Sequence, residues 1–229
     1  MSHYYDESPV AAHEQHKLSV QIGTLVLEFN TDSAVFAKNR LDFGTRLLID
    51  SVLEDFRVSG EQPFGRLLDL GCGYGPVGIA FKRLFPALDV VMTDINERAV
   101  ELARLNAAEN QTRYVDIRRG DGFAVVGKQE EFDLIITNPP IRAGKKTVYA
   151  FFDGSYEHLK TGGRLYVVIQ NKQGAPSARK YLTQLFGNCE DIERKAGFHI
   201  FRCTREKSMF MKQSHCEPEN TKKNQPKTL

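Results

Sequence analysis

The segment LLDLGCGYGPVGIA, residues 67–80, constrains this chain more than any other. A run that is apolar except for Asp69 ends at Leu70, and glycines follow at once at 71, 73 and 75. Glycine is required where a backbone turns sharply or where a ligand must approach without meeting a Cβ. Pro76 comes next, and proline suits the first position of a helix, where no amide donor is required. Beyond it Val77, Ala80, Phe81 and Leu84 recur at helical spacing and form one apolar stripe. The reading is strand, tight turn, helix, with the turn built for a close approach.

The same alternation runs through most of the chain. Short apolar runs occur at RLLDL (66–70), DVVMTD (89–94), YVDIR (114–118), FDLIITN (132–138) and RLYVVIQ (164–170). Their Val, Ile and Leu density without strict alternation suits strands buried on both faces. Between them lie helical segments. Asn96 can cap one in which Ala99, Leu102 and Ala103 share a face. Residues 145–160 and 175–187 supply two more, with Gly162-Gly163 ending the first of these. CEDIER (189–194) and FHIFRCTR (198–205) flank Lys195-Ala196-Gly197 and read as an antiparallel hairpin. The alternation predicts an α/β fold with a doubly wound, mainly parallel seven-stranded sheet and a C-terminal antiparallel hairpin. Upstream lie a further hairpin (LSVQIGTLVLEF, 18–29) and a helix (44–56). Residues 1–16 read as a flexible N-terminus, 17–206 as one domain and 207–229 as a disordered basic tail.

Composition narrows the class. The chain has 229 residues, net charge +2 and 41% hydrophobic residues, which suits one ordinary domain with its own core. The near balance of charge excludes a strongly basic coat protein and an acidic solvating tail. No stretch approaches the roughly 18 apolar residues of a membrane helix. The first twenty residues carry Asp6, Glu7, Glu14 and three histidines without an apolar run, unlike a signal peptide. Cys72, Cys189, Cys203 and Cys216 are scattered, with no metal-ligand spacing, and read as reduced thiols of a cytoplasmic protein.

In a doubly wound sheet, ligands lie beyond the carboxyl ends of the strands. Gly73-Tyr-Gly75-Pro-Val-Gly78 spells a dinucleotide pattern, but the first glycine after the strand is Gly71, so that frame starts two residues late. Asp69 would also set a carboxylate near a pyrophosphate. An anion repels another anion there and suits a cation. Asp94 ends the second strand, nineteen residues beyond Gly75, where a carboxylate can accept both hydroxyls of a ribose. Asp121, in RGDGF, is placed to accept an adenine amino group. Each has a plainer alternative: a helix cap for Asp69, a solvated strand end for Asp94, an Asp-Gly turn for Asp121. Together they describe an adenosine joined to an ammonium-bearing group, which is S-adenosyl-L-methionine.

Residues 67–80, Asp94, Asp121 and Asn138-Pro-Pro-Ile resemble the class I S-adenosylmethionine-dependent methyltransferases. More narrowly, AVFAKNRLDFGTRLLID (34–50) with NPPIRAGK (138–145) resembles the methyltransferase small domain family, over roughly residues 18–205. That family includes bacterial enzymes that methylate the exocyclic amino group of guanine in small-subunit ribosomal RNA. The resemblance implies a Rossmann-like methyltransferase sheet. It implies cofactor contacts from Asp69, Gly71, Cys72, Gly73, Gly75, Asp94, Ile95, Asp121, Gly122, Asn138 and Thr45, with Cys72 a small filler and not a nucleophile. Lys38, Asp42, Gly44 and Thr45 match the segment that lies over the cofactor in the family, and Asp42 can equally cap the following helix.

By the same resemblance Asn138, Pro139 and Pro140 are catalytic, and Ile141, Arg142, Lys145 and Phe36 meet the substrate. The side-chain oxygen of Asn138 and the carbonyl of Pro139 can each accept one N–H of a planar amine, which favours a pyramidal nitrogen with its lone pair aimed at the methyl. Prolines lack a donor of their own and leave these carbonyls without local competition. Family enzymes of this type usually place an aromatic after the prolines; here it is Ile141, with Phe36, Tyr149 or Phe151 as substitutes. Arg142, Lys145, Lys146, Arg118 and Arg119 could contact phosphates or form a solvated rim. The implied partner is RNA, ribosomal RNA or a ribosomal subunit, with no membrane, for a monomer or homodimer. Family members with ribosomal targets often carry a second, degenerate copy of the domain, and 229 residues leave no room for one. The rival acceptors are a protein glutamine amide and a small-molecule amine. A non-catalytic RNA-assembly factor is the rival of another class, and the intact Asn138-Pro-Pro argues against it.

Overall fold

Apolar runs with no polar side have to be covered on both faces, and the computed structural model, which describes residues 15–32 and 40–207, shows how. Phe36, Lys38, Cys216 and most of the two chain ends lie outside the described residues. Strands β3 (Arg66–Leu70), β4 (Asp89–Asp94), β5 (Val115–Arg119), β6 (Phe132–Thr137), β7 (Leu159–Gln170), β8 (Glu190–Lys195) and β9 (Phe198–Thr204) form one seven-stranded sheet in the order β5-β4-β3-β6-β7-β9-β8. The β3–β7 strands pair in parallel, and β9 is antiparallel to both β7 and β8. Leu67, Leu68, Leu70, Val90, Val91 and Met92 are all fully buried, as strands covered on both sides require.

Helices α1 (Phe43–Ser59), α2 (Pro76–Leu84) and α3 (Glu97–Glu109) bury their apolar faces in one layer of core, and α4 (Lys145–His158) and α5 (Ala175–Phe186) in the other. Their ends follow from local chemistry. Asp42 Oδ2 caps α1 by accepting the Thr45 N–H at 2.9 Å, and Gly60, in the left-handed region, closes it. Asn96 caps α3 as its position predicts. The expectation for Gly162-Gly163 is corrected. The buried Leu159 is drawn into the sheet, so α4 stops at His158 and the chain passes directly into β7. The two glycines lie within that strand, where the β6–β7 register shifts between Phe132 and Leu134. A Cβ at Gly163 would stand 2.9 Å from the Lys160 carbonyl oxygen. These glycines shape a bulge and do not cap a helix.

The upstream hairpin, β1 (Gln15–Ile22) and β2 (Leu25–Asp32), is a separate two-stranded sheet held by α3. Two asparagines one turn apart on α3 replace a third strand along the free edge of β2. Asn106 Oδ1 accepts the Asn30 N–H at 2.7 Å while its Nδ2 donates to the Asn30 carbonyl at 3.0 Å. Asn110 does the same to Glu28, at 2.9 and 2.6 Å. Asn106 Nδ2 also reaches the Tyr74 carbonyl at 2.9 Å, which ties the hairpin to the glycine loop. Asn106→Leu leaves the Asn30 backbone groups and the Tyr74 carbonyl without this partner. It is expected to cost about 2–4 kcal/mol in urea unfolding and to strip hydrogen-exchange protection from the Asn30 amide.

Candidate active site

The strand order reverses between β3 and β6, which are neighbours although far apart in the chain. The helix after β3 leaves to one face of the sheet and the helix after β6 to the other, so a crevice opens between their loops. Thr137 Oγ1 donates to the Leu70 carbonyl at 2.8 Å and pins the two strand ends together at that point. The glycine loop and Asn138-Pro-Pro therefore flank one crevice.

On the glycine side the loop is held by strand-end carboxylates. Gly71, Gly73 and Gly75 all have positive φ, at 75°, 57° and 95°. The N–H groups of Gly71 and Cys72 both donate to the Thr93 carbonyl at 2.9 Å. Asp94 Oδ2 accepts the Gly73 N–H at 2.8 Å, and its Oδ1 accepts the Asn96 N–H at 2.9 Å. Asp69 Oδ2 accepts the Gly78 N–H at 2.8 Å. Gly75 and Gly78 serve packing more than ligand approach, since a Cβ on either would press into Met92 at 2.9 or 2.7 Å.

Burial sets the electrostatics. It pushes the Asp69 carboxyl up to about 7 against the opposing pull of the Gly78 N–H, and the nearby Asp94 charge adds to the rise. Burial raises Asp94 too, against backbone N–H groups from Asn96, Gly73 and Ile95. The Cys72 thiol is driven well above its ordinary range by burial and by both carboxylates, so it is no nucleophile. Asp94 keeps acceptor capacity beyond its backbone bonds, because a carboxylate has about four acceptor positions. Asp121 is exposed before the single turn Gly122–Val125, and its carboxylate makes no hydrogen bond with the described residues. Gly122 and Gly71 share a neighbour that the sequence reading placed elsewhere. A Cβ at either would stand 3.1 or 3.4 Å from the Phe151 ring, so Phe151 is the buried floor between the two loops and no substitute for the aromatic after the prolines.

On the acceptor side, Asn138 Nδ2 donates to Thr45 Oγ1 at 2.9 Å and to Asp42 Oδ2 at 3.3 Å. Thr45 Oγ1 in turn donates to Asp42 Oδ2 at 3.3 Å. An ionised carboxylate only accepts, so the amide nitrogen faces Asp42 and Oδ1 is turned to the other side. The expected freedom of the Pro139 carbonyl is corrected. It accepts the Ile141 N–H at 2.8 Å because Pro140, at φ −73° and ψ 77°, makes an inverse γ-turn. One lone pair of that oxygen remains.

The rim departs from the sequence reading in three places. Ile141 packs into the core layer of α4 and α5. Tyr149 stacks on Tyr181 with centroids 4.0 Å apart and donates to the Ser177 carbonyl at 3.2 Å, so its ring is committed to the α4–α5 contact. Arg118 pairs with Asp116 and Glu130, and Arg119 with Glu97; both belong to ion pairs within the fold. Arg142, Lys145 and Lys146 are exposed beside the acceptor loop. Phe43 and Phe198 stand near Asp42 with centroids 5.4 Å apart, and Phe43 is 42% exposed. The aromatic at position 43, directly after the capping Asp42, was the available signal for this pair.

Residues 26–202 match the methyltransferase small domain. The chain belongs to that family. It is an S-adenosylmethionine-dependent methyltransferase of the Rossmann-like class. It is 44% identical over 200 residues to the uncharacterized protein YbxB of Bacillus subtilis (strain 168), covering 87% of this chain and 96% of that one. It is 36% identical over 179 residues to the ribosomal RNA small subunit methyltransferase C of Pseudomonas entomophila, covering 75% of this chain and 49% of the relative. The chain thus spans about half the length of its curated relatives of that name. In fold it is similar to the T. thermophilus 16S rRNA N2 G1207 methyltransferase solved with AdoMet and guanosine: TM-score 0.75 at 21% identity, over 86% of this chain and 52% of that one.

Within this family member, Thr45→Val removes the hydroxyl that holds the Asn138 amide while preserving side-chain volume. It is expected to lower the methyl-transfer rate up to roughly 100-fold, since a misplaced group costs that order. Measured at saturating cofactor, this loss is separated from that of the cofactor contact which the family resemblance gives Thr45.

Proposed function

We propose that this enzyme transfers a methyl group from S-adenosylmethionine to the exocyclic amino nitrogen of guanine in RNA, with ribosomal RNA in the cytoplasm as substrate. The observation that carries this reading is the fixed orientation of Asn138. Its Nδ2 is tied to Asp42 and Thr45, so Oδ1 is a preset acceptor for an N–H of a planar amine. The names of the Pseudomonas and T. thermophilus proteins support RNA and guanine as substrate.

The residues fit the cofactor. The left-handed turn at Gly71 and Gly73 brings bare backbone to the crevice, and Asp69 is a buried carboxylate with one oxygen free of partners among the described residues. Asp69 and the glycine loop, with Cys72 and Gly75, would hold the methionine end. Asp94 and Ile95 would hold the ribose, and Asp121 and Gly122 the adenine edge. When bound, the cofactor supplies a methyl already activated by a sulfonium. The protein's part is therefore to orient the acceptor. Asn138 Oδ1 and the remaining lone pair of the Pro139 carbonyl accept the two amino hydrogens and turn the nitrogen's lone pair toward the methyl. The surplus proton on the methylated nitrogen would pass to solvent water as the sulfonium becomes a neutral thioether. Phe43 and Phe198 offer an apolar face to the base, in the role usually taken by an aromatic after the prolines.

Asp69 makes cofactor binding depend on pH. A cation favours its ionised form, and its carboxyl stands at about 7. Below that value binding must expel a proton, so affinity is expected to fall up to tenfold per pH unit. Titration calorimetry between pH 5.5 and 8 checks this, and Asp69→Asn should flatten the profile. In the unliganded protein the sign is opposite: a raised carboxyl destabilises the fold when ionised, so its contribution improves as pH falls from about 7 toward 3.8. The function itself is tested with methyl-labelled S-adenosylmethionine offered to RNA, ribosomal subunits and protein, with Asn138→Ala as control. Label as N2-methylguanosine that disappears with Asn138→Ala is the expected result. Label confined to protein would replace this reading with glutamine-amide methylation.

A further inference from the structure

Between α5 and the β8–β9 edge of the sheet a groove of about 720 Å³ opens, within the range of small-ligand sites. It begins at Asn171, directly after β7, whose neighbour β6 leads into Asn138. The groove and the acceptor loop thus share the carboxyl edge of the sheet. The contact of Tyr149 with Ser177 and Tyr181 sets the α4 rim carrying Lys145 and Lys146 beside the start of α5.

The lining has three kinds of chemistry. Arg179 and Lys180 form no ion pair with the described residues. The partly exposed His199 ring stacks on the buried Phe201 ring, centroids 5.7 Å apart, and is the ring surface that the groove offers. Asp191, with its side chain 5% exposed, uses Oδ2 for Arg194 at 2.6 Å and for His199 at 2.9 Å. Its Oδ1 is buried in the groove wall and has no hydrogen-bond partner among the described residues. A buried carboxylate oxygen without a donor is costly unless a ligand supplies one. Cations for a phosphate, ring surface for a base and one acceptor for an O–H or N–H are together the complement of a nucleotide.

We propose that this groove binds a nucleoside-phosphate unit of the RNA strand flanking the methylated base. Arg179 and Lys180 meet the phosphate, and Asp191 Oδ1 accepts a hydrogen bond from the sugar or base. The inference rests on the RNA reading above and extends it to the part of the strand that Asn138 does not touch.

The test compares Arg179→Ala/Lys180→Ala with a control, Arg113→Ala/Lys128→Ala. The control removes two exposed cations at the opposite, amino edge of the sheet. The probe is a fluorescein-labelled ten-nucleotide single-stranded RNA, with S-adenosylmethionine saturating its own site. The groove variant is expected to weaken binding at least tenfold and to lower the log–log salt slope by about 1.4, as for two lost phosphate contacts on a single strand. In methylation assays its KM should rise with kcat unchanged. Adenosine 5′-monophosphate should shift the His199 ring resonances in the parent and not in the groove variant. Equal losses in the two double variants, or unshifted His199 resonances, would overturn the proposal and leave only diffuse charge or a protein partner for this face. If no RNA is methylated but the groove variant alone loses probe binding, the groove stands and the acceptor reading fails.

Discussion

Two buried carboxylates at the ends of adjacent strands hold the rest of this structure in place. The glycine loop crosses the end of the sheet with its N–H groups turned inward, where water cannot satisfy them. Asp94 takes those of Gly73 and Asn96, and Asp69 takes that of Gly78 at the start of α2. Without them the loop would bury unpaired donors, a helix start would lose its anchor and the crevice would lose its shape. The arrangement concentrates negative charge in a poorly solvated place, which is why the Asp69 carboxyl rises. The same constraint that shapes the loop readies it for a cation.

Elsewhere the fold repeats this device of side-chain polar groups standing in for backbone partners. Asn106 and Asn110 pair with β2 as a neighbouring strand would, and so dock a hairpin that has no place in the main sheet. Asp42 caps α1 and, with Thr45, also sets the Asn138 amide. One carboxylate therefore links the start of a helix to the orientation of the acceptor site. A shift in α1 would turn Asn138, although α1 lies far from β6 in the chain.

The departure from the family pattern after the two prolines has a structural counterpart. Ile141 is partly buried and packs against the core layer of α4 and α5, following the inverse γ-turn at Pro140. The aromatic surface beside Asp42 comes from α1 and β9, through Phe43 and Phe198. Basic residues divide in a similar way. Arg118 and Arg119 are spent on ion pairs within the fold, while Arg142, Lys145, Lys146, Arg179 and Lys180 remain at the exposed rim and groove.

What the amino-acid order determined by itself was local. Apolar runs without alternation specified strands covered on both faces, and β3, β4 and the C-terminal hairpin fall where those runs lie. The glycine spacing specified a left-handed turn, because few other residues adopt positive φ. Asp69, Asp94 and Asn138 stand at or beside strand ends, as the runs in the sequence place them, and strand ends in a doubly wound sheet face its ligand edge. What only the tertiary structure decided depends on residues distant in sequence. The Asn138 amide is oriented by a carboxylate 96 positions away, and β2 is held by asparagines 76 and 82 positions away. The bulge at Gly162-Gly163 and the groove beside α5 likewise follow from how the layers pack. Residue spacing encodes dihedral preference and burial period. It carries no record of which side chains meet once strands that are far apart in the chain become neighbours.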